Sequence, residues 1–287
     1  MPEMPEVESL ARFLTDNCVG HSIARIDLVA FSALKTYDPP LSALHGLEIE
    51  SVTRRGKFLD LSAQGLHLVF HLARAGWLRW RDSLPDEPPR PSKSPLALRV
   101  RLDDSSGFDL TEAGTQRKLA VYVVTDPLSI PMVATLGPDP LTDEFDQPAL
   151  AGVLAKAGRA QLKGVLKDQR TIAGIGNAYS DEILHAAKLS PFKPSNSLTE
   201  AELSTLFAAI KGELADAIQR AEGLAAKDLK GEKKSGLRVH GRTGEKCDVC
   251  ADTIAEVSFA DSSLQYCPTC QTGGKKLADR RLSKLLK

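Results

Sequence analysis

The chain opens with the stretch MPEMPEVE, residues 1 to 8. Removal of the initiator Met1 from in front of the small Pro2 would leave a free secondary amine beside the carboxylate of Glu3. Such an amine adds to an electrophilic sugar carbon or aldehyde to give a Schiff base, and a proline amine gives an iminium that stays cationic without protonation. Taken alone, these letters indicate a processed terminus more often than a nucleophile, so the rest of the sequence has to decide between the two.

The residues that follow predict one helix and then a series of strands. Apolar side chains recur at helical spacing over residues 5–17, and the pattern stops at Gly20. From residue 23 to about residue 126 the chain consists of short runs rich in Val, Leu and aromatic residues, divided by Gly, Pro and Asp turns. This spacing predicts a β-sandwich with the first helix packed against it. The Pro-rich segment 83–95 is predicted to be a surface loop.

Beyond residue 136 the pattern becomes helical, with helices predicted over 148–157, 162–169, 178–187 and 199–220. The last helix begins with a capping box, in which Thr199 precedes Glu202 by three residues. Residues 223–245 mix Gly with Lys and predict a flexible, cationic connection.

These patterns predict an α+β, multidomain protein. We divide the chain into an N-terminal β-sandwich catalytic domain over 1–135, a helical domain over 136–245, a four-cysteine zinc finger over 246–271 and a basic C-terminal tail over 272–287.

Four of the five cysteines have the spacing of metal ligands. Cys247-x2-Cys250 is followed, after sixteen residues, by Cys267-x2-Cys270. Each pair places two thiolates on one turn, and the hairpin between the pairs, predicted over 254–264, closes a tetrahedron. Because all four positions are Cys, no coordination place stays open, and we expect one structural Zn²⁺. The fifth, Cys18, is predicted to be a small buried residue of the first helix.

The composition is that of a soluble globular protein, with 42% hydrophobic and 26% charged residues and a net charge of zero. Positive charge is concentrated near the C-terminus, where residues 224–287 hold 13 Lys and Arg against 8 Asp and Glu. A local surplus of this kind is sufficient for contacts with phosphates. With no long apolar stretch and no basic, apolar leader, we expect a cytoplasmic protein without a membrane partner.

Four motifs occur in an order that resembles the formamidopyrimidine-DNA glycosylase and endonuclease VIII family of base-excision repair enzymes. They are MPEMPEVE at 1–8, the basic turn RRGK at 54–57, DQRTIAGIGNAYSDEI at 168–183 and the cysteine cluster. The resemblance runs from Pro2 to about Cys270. It implies a monomeric DNA glycosylase with abasic-site lyase activity that binds damaged DNA through a helix-two-turns-helix element.

The resemblance also implies roles for four residues of the catalytic centre. The Pro2 amine attacks C1′ of a flipped-out nucleotide, and Glu3 protonates the sugar ring oxygen. Lys57 binds the lesion-side phosphate and helps to protonate the departing base. Glu6 orients the amine, or else it is only a first-turn carboxylate that complements the helix dipole. Both accounts of Glu6 remain open at this stage.

Further residues are implied to contact DNA. Asn177, near a helix N-terminus, and a preceding lysine, Lys163 or Lys167, would hold phosphates that flank the lesion. Without the resemblance, a satisfied core histidine is the default for His71, and the Gly-x-Gly-Asn turn is usually only a helix connection. The DNA-binding set is His71, Arg74, Arg117, Lys118, Lys163, Asn177, His240 and Arg242.

The sequence departs from the family pattern where relatives fill the gap left by the flipped base. Arg74 stands where many members have Met, and Gln116-Arg117-Lys118 replaces an Arg-Arg-Phe triplet. Ser262 stands in the zinc hairpin where an Arg is usual. Since an apolar wedge normally compensates for unstacking, we expect an altered opposite-base preference, or a substrate that is already single-stranded or distorted.

Two other functions are compatible with parts of the sequence. A lesion-binding protein of the same fold, with little base excision, would explain the changes at the gap-filling positions and at Ser262. A zinc-ribbon RNA-binding protein would explain the cysteines and the basic tail, but it gives no reason for the N-terminus. The damaged base itself is not specified: oxidised purines, oxidised pyrimidines, plain abasic sites and bulky adducts all remain open.

Overall fold

The computed structural model describes residues 1–89, 94–114, 116–260 and 262–278. The chain forms two compact units, one of residues 1–135 with 221–232 and one of residues 136–220 with 233–287. Part of the basic tail predicted over 272–287, including Arg280, Arg281 and Lys284, lies outside the described residues. None of the described helices has the length and apolar character needed to cross a bilayer.

The first unit begins with helix α1 (Met4–Cys18), which presents Val7, Leu10 and Leu14 to the core. Pro5 in the first turn suits a helix start, because its missing N–H has no partner to lose there. The helix ends before Gly20, whose φ of +85° only glycine adopts easily. Burial raises the pKa of the Cys18 thiol to about 12, so this cysteine stays a protonated core residue.

Eight strands form the predicted β-sandwich. In chain order they are β1 (Ile23–Leu28), β2 (Ser51–Arg55), β3 (Phe58–Ala63), β4 (Leu66–His71), β5 (Gly76–Arg81), β6 (Leu96–Leu102), β7 (Gly107–Glu112) and β8 (Ala120–Val124). They make two antiparallel four-stranded sheets, with orders β1-β6-β7-β5 and β2-β3-β4-β8. The short helix α2 (Pro131–Ala134) ends the first stretch of this unit. Residues of α1 and of both sheets share one hydrophobic core.

Residues 221–232 also belong to the first unit, although the sequence places them in the helical domain 136–245. Ala226 and Leu229 are buried in the core of the sandwich. The Trp77 ring N–H donates to the Ala226 carbonyl oxygen at 3.0 Å. These contacts with residues distant in sequence explain why local composition did not reveal the segment's position.

The second unit is helical, as predicted. Its helices are α3 (Gln147–Ala157), α4 (Leu162–Lys167), α5 (Asn177–Ala186) and α6 (Glu200–Arg220), and α7 (Leu229–Gly236) runs from the first unit into it. The capping box expected at the start of α6 is present, since Thr199 N–H donates to the Glu202 carboxylate at 2.9 Å and Glu202 N–H donates to Thr199 Oγ1 at 3.2 Å. The unit ends with the hairpin β9 (Ala255–Ser258) and β10 (Ser263–Tyr266) and with α8 (Pro268–Thr272).

The prediction of a flexible connection over 223–245 is wrong. Its first part packs on the sandwich, its middle forms α7, and its last part is held by Glu182 of α5. The buried Glu182 carboxylate accepts the backbone N–H groups of Arg238, Val239 and His240 at 2.8 to 3.0 Å. The Gly and Lys content indicated a loop, but a carboxylate from another helix orders it.

Asp181, beside Glu182, is a second buried carboxylate of this unit with several partners. It is fully buried and lies 2.6 Å from Lys163 Nζ of α4. Its other oxygen lies 2.7 Å from His240 Nδ1 and accepts the Gln265 N–H of β10 at 3.2 Å. One side chain therefore joins α4, α5, the 238–240 loop and the zinc hairpin.

We predict that Asp181→Ala lowers the free energy of unfolding by about 3–5 kcal/mol, because it leaves the buried Lys163 ammonium without its charge partner. Urea denaturation followed by circular dichroism measures the loss. Asp168→Ala is the matched control, since Asp168 pairs with Arg170 in a largely exposed salt bridge that is expected to contribute about 0–1 kcal/mol. Equal losses in the two variants would contradict the role given to Asp181.

Candidate functional site

Two buried carboxylates surround the N-terminal end of α1. Glu3 is the N-cap residue, and with Glu6 it forms a reciprocal capping box. The Glu6 carboxylate accepts the Glu3 backbone N–H at 2.7 Å. Glu3 and Glu6 expose only 2% and 4% of their surfaces, so both groups are held in place next to Pro2. Through this hydrogen bond Glu6 contacts the main chain beside Pro2, and its role in orienting the amine stays a prediction.

Lys57 lies in the two-residue turn between β2 and β3, where Arg55 pairs with Phe58. Gly56 in this turn has a φ of +58°, a conformation in which glycine is favoured. Lys57 is buried, so it is not the solvated hairpin lysine that the turn alone suggests. Burying an unpaired ammonium group is costly. The buried position of Lys57 therefore indicates that its surroundings compensate for its charge.

An ion pair holds this turn against α1. Arg54 Nε donates to the Glu8 carboxylate at 2.8 Å, and Arg54 Nη1 donates to the Gly56 carbonyl oxygen at 3.2 Å. Arg54 therefore connects the first turns of α1 with the backbone beside Lys57. Arg54 and Glu8 lie in two of the motifs quoted above, but their contact joins residues 46 positions apart, and the sequence analysis did not predict it.

His71 carries a partly buried imidazole that accepts a hydrogen bond from the backbone. It pairs with Phe58 across β3 and β4, with ring centroids 4.7 Å apart. Its Nδ1 accepts the Ala73 N–H at 3.1 Å, which assigns the ring proton to Nε2. Burial, and secondarily the charge of Lys57, lowers the pKa of His71 to about 4. The imidazole is therefore uncharged near neutral pH and can donate from Nε2.

Two neighbouring loops carry three exposed cations. The β4–β5 loop contains Arg74, and the β7–β8 loop contains Arg117 and Lys118. The loops lie side by side, because their flanking strands pair through His71 with Ala120 and through Gly76 with Glu112. Within the described ranges, none of the three cationic side chains makes a hydrogen bond or ion pair, so all three are available to a ligand.

Glu112 shapes the second of these loops. Its buried carboxylate accepts the backbone N–H groups of Lys118 and Leu119 at 2.8 and 3.1 Å. These hydrogen bonds hold the end of the β7–β8 loop close to β7 and fix the base of the loop that carries Arg117. Glu112 lies at the end of a strand, six residues before the first N–H group that it binds. This spacing is not a recognisable motif, so the sequence analysis did not identify Glu112.

In the second unit, the turn before α5 is held by a side chain that the sequence analysis also overlooked. Gln169 Oε1 accepts the Gly174 N–H at 2.9 Å, and Gln169 Nε2 donates to the Ile175 carbonyl oxygen at 2.7 Å. Asn177, the first residue of α5, donates from Nδ2 to the Ser263 carbonyl oxygen at 2.8 Å. Its buried Oδ1 has no hydrogen-bond partner among the described residues. Asn177 thus binds the zinc hairpin and does not cap its own helix.

The structure corrects the prediction that Lys163 holds a phosphate. Lys163 is buried, and its ammonium group donates to Asp181 at 2.6 Å, to Ser180 Oγ at 2.8 Å and to the Asn177 carbonyl oxygen at 3.0 Å. Three acceptors use the three donors of an ammonium group. The other lysine considered, Lys167, is exposed in the last turn of α4.

His240 and Arg242 are also engaged within the second unit. His240 binds Asp181, although part of its ring remains exposed. Arg242 donates to Glu245 at 2.8 Å and to Asp248 at 2.7 Å, and these hydrogen bonds raise the pKa of its guanidinium above the ordinary value. Two exposed carboxylates therefore compete with any phosphate for Arg242, and the DNA contact of this residue stays a prediction.

The four cysteines converge as the spacing predicts. All four sulfurs lie within 4.8 Å of one another, with Cys250 and Cys267 Sγ atoms 3.3 Å apart and Cys247 and Cys270 Sγ atoms 3.9 Å apart. A tetrahedral site with Zn–S bonds of about 2.3 Å needs sulfurs about 3.8 Å apart, so the thiolate set fits zinc. The prediction of one structural zinc is confirmed by this geometry and by the family match given below.

The surroundings of the cysteines support the same assignment. His185 Nε2 lies 3.3 Å from Cys247 Sγ, the type of contact that orients a metal-bound sulfur. Ser262, which replaces the usual arginine, is exposed at the tip of the β9–β10 hairpin, where its carbonyl oxygen accepts the Phe259 N–H at 2.7 Å. The described part of the hairpin tip therefore offers a hydroxyl group and not a guanidinium.

Three family models match the chain. They are the formamidopyrimidine-DNA glycosylase N-terminal domain over residues 1–120, the formamidopyrimidine-DNA glycosylase H2TH domain over 136–228 and the zinc finger found in FPG and IleRS over 244–273. Formamidopyrimidine-DNA glycosylase of Symbiobacterium thermophilum is 35% identical over 98% of this chain and 93% of its own length. An uncharacterized formamidopyrimidine-DNA glycosylase-like protein of Mycobacterium tuberculosis is 59% identical over 55% of this chain and 98% of its own length.

Solved structures agree with these matches. The MutM (Fpg) protein of Thermus thermophilus superimposes with a TM-score of 0.80 at 30% identity, covering 96% of this chain and 100% of that one. The Lactococcus lactis Fpg in complex with Fapy-dG-containing DNA gives a TM-score of 0.82 at 28% identity, covering 94% and 100%. The fold and the zinc module define a protein of the base-excision repair class. The chain belongs to the formamidopyrimidine-DNA glycosylase family.

We predict that Lys57→Gln raises the pKa of His71 from about 4, because it removes one of the two causes of the depression, whereas Lys57→Arg leaves the pKa unchanged. An NMR titration of the imidazole signals, assigned with a His71→Gln variant, measures the shift. The imidazole of His71 takes up a proton near pH 6.5 in the unfolded chain but only near pH 4 in the folded protein. The stability that neutral His71 contributes is therefore lost as the pH falls from 6.5 to 4. Identical titrations in the two Lys57 variants would contradict the proximity of Lys57 and His71.

We also predict that Cys250→Ser reduces bound zinc well below one equivalent, because a hydroxyl group is a poor substitute for a thiolate ligand. Metal analysis of the purified protein gives the stoichiometry, and thermal unfolding reports the accompanying loss of stability. Cys18→Ala is the control, since Cys18 lies in the core of the other unit, and it is expected to keep one zinc. Full zinc content in Cys250→Ser would show that the four thiolates are not the site.

Proposed function

We propose that this protein is a DNA glycosylase with abasic-site lyase activity that works through a Schiff base at Pro2. The observation that carries this proposal is the pair of buried carboxylates, Glu3 and Glu6, fixed beside Pro2 at the start of α1. The turn containing Lys57 is tied to the same helix. Relatives named formamidopyrimidine-DNA glycosylase, and a Lactococcus lactis Fpg solved with abasic-site DNA, support the reaction class.

Base removal needs a nucleophile, an acid and a cation, and each has a candidate. The Pro2 nitrogen forms a bond to C1′ as the bond between C1′ and the damaged base breaks, and the proton that the nitrogen then loses is transferred to the departing base. Glu3 supplies a proton to the sugar ring oxygen, which opens the ring and leaves an iminium. Lys57 stabilises the flanking phosphate and the negative charge that develops on the base.

Strand cleavage follows from the iminium. Its positive charge makes the C2′ proton acidic, and loss of that proton breaks the C3′–O bond and releases the 3′ phosphate. A second elimination breaks the C5′–O bond, and hydrolysis then frees Pro2. These steps require removal of Met1, because an acylated proline nitrogen has no lone pair to donate. Met1 is half exposed, which is consistent with access by a processing enzyme.

DNA binding is proposed to use groups that the structure leaves accessible. Arg74, Arg117 and Lys118 would bind phosphate or a base edge at the gap left by the flipped nucleotide. Neutral His71 would donate to a phosphate from Nε2, and exposed Lys167 takes the role first given to Lys163. The proposed partner is damaged DNA, bound by a monomer in the cytoplasm.

A second candidate is a lesion-binding protein that recognises damaged DNA with little base excision. Two departures from the family pattern favour this candidate. Three cations, Arg74, Arg117 and Lys118, stand in place of an apolar wedge, and Ser262 stands at the hairpin tip. These features affect retention of the extruded nucleotide, and they leave the groups at Pro2 and Glu3 intact. Base excision from a damaged oligonucleotide therefore separates the two candidates, because covalent trapping at Pro2 is compatible with both.

We predict that the mature protein, shown by intact mass to lack Met1, becomes covalently linked to an abasic oligonucleotide when borohydride is present. Glu3→Gln is expected to lower base release by about 10²-fold or more, the usual contribution of a positioned acid, while it retains trapping on a pre-formed abasic site. Asp16→Asn is the control, because Asp16 is an exposed acid of the same helix. It should change neither reaction.

The outcomes are distinct. Trapping without base release from any damaged oligonucleotide, single- or double-stranded, would favour the lesion-binding protein. Absence of a covalent adduct with the mature protein would overturn the Schiff-base proposal itself.

A further inference from the structure

A cleft in the first unit combines aromatic rings with positive charge. It has a volume of about 680 Å³ and is lined by residues of α1, of strand β5 and of the segment 225–230. Its rings are Phe13, Trp77 and Trp80, and its cations are Arg79, Arg81, Lys227 and Lys230, against the single carboxylate of Asp82. The volume is in the range of ordinary small-molecule sites.

The cleft is separate from the proposed catalytic centre. Phe13 and Asn17 line it from the C-terminal half of α1, whereas Pro2 and Glu3 precede the first turn of this helix. Ten residues separate Glu3 from Phe13 in sequence, which corresponds to about 15 Å along a helix axis. None of the residues assigned to catalysis or to DNA contact above lines the cleft.

The aromatic residues of the cleft are held in fixed orientations. Trp80 donates from Nε1 to Asp82 at 3.0 Å and packs edge-to-face on Phe13, with ring centroids 5.6 Å apart. Trp77 is held by Ala226, and Lys230 Nζ lies 4.5 Å from the centre of the Trp77 ring. Trp80 remains partly exposed, so a flat ligand can reach an aromatic surface that is already positioned.

The positive charge of the cleft is only partly neutralised within the described structure. Arg79 makes no side-chain hydrogen bond or ion pair among the described residues, and its charge, together with burial as the larger cause, lowers the pKa of Lys230. Arg81 approaches Asp109 only at 3.5 Å, and Arg99 already binds that carboxylate at 2.7 and 3.0 Å. Like charges held close together are unfavourable, and a bound anion relieves the repulsion.

We propose that this cleft binds a nucleotide, with the base against the Trp80 ring and the phosphate between Arg79 and Lys230. Base stacking on an aromatic ring combined with phosphate binding by cations is the usual means by which proteins hold an unpaired nucleotide. The same chemistry is offered by a free nucleotide and by a nucleotide of a DNA single strand. The inference is independent of the Schiff base at Pro2, because an undamaged nucleotide presents no electrophile to that amine.

Intrinsic fluorescence tests this site directly, since Trp77 and Trp80 are the only two tryptophans of the chain. The probes are deoxyadenosine monophosphate and a short, undamaged single-stranded oligodeoxyadenylate. We expect saturable quenching by at least one probe. In the Arg79→Gln/Lys230→Gln variant the affinity should fall by about tenfold, and for the oligonucleotide the slope of log K against log salt should become shallower by roughly 0.7, the value for one lost phosphate contact.

The Lys156→Gln/Arg159→Gln variant is the charge-matched control, because both residues are exposed in the other unit. It should bind the probes like the unmodified protein. Comparable binding of both probes identifies a free-nucleotide site, whereas binding of the oligonucleotide alone identifies a site for a DNA strand. No saturable quenching, or equal affinity in the two double variants, would overturn the inference, whatever the result of borohydride trapping.

Discussion

The proposed chemistry depends on an immobilised chain terminus. The first residues of a domain are usually poorly ordered, but a terminus that acts as a reagent has to stay in one place. Here the Glu6 carboxylate accepts the Glu3 N–H at 2.7 Å, and both side chains are buried. The same hydrogen bond begins α1, whose apolar face lies in the core of the sandwich. The stability of the fold therefore holds the reactive end in position.

Buried carboxylates serve a similar purpose elsewhere in both units. Glu112 fixes the loop that carries Arg117 through two backbone N–H groups, and Glu182 orders residues 238–240 through three. Asp181 joins the helices to the zinc hairpin. A buried carboxylate is stable only when its oxygens are fully hydrogen-bonded, so each of these groups specifies a loop conformation that apolar packing alone would leave undefined. The loops that they hold include those proposed to contact DNA.

Local patterns were sufficient to predict much of this protein. The helix over residues 5–17, the capping box at Thr199 and the four zinc ligands each depend on neighbours within one turn or one hairpin, and all three are present. Predictions failed where a residue finds its partner far away in sequence. Lys163 is buried because Asp181 lies eighteen residues further on, and His240 meets the same carboxylate from 59 residues away. The chemical type of a lysine or histidine does not reveal whether a distant carboxylate will be there to bind it.

The return of residues 221–232 to the sandwich has a consequence for the modularity of the protein. Because this segment supplies Ala226 and Leu229 to the sandwich core, neither unit is a continuous piece of the polypeptide. A chain that ended at residue 135 would lack part of its own interior and would expose the Trp77 surface. A division of the polypeptide near residue 135 would therefore separate the sandwich from these two residues of its own core, so the first unit is complete only when the late segment is present.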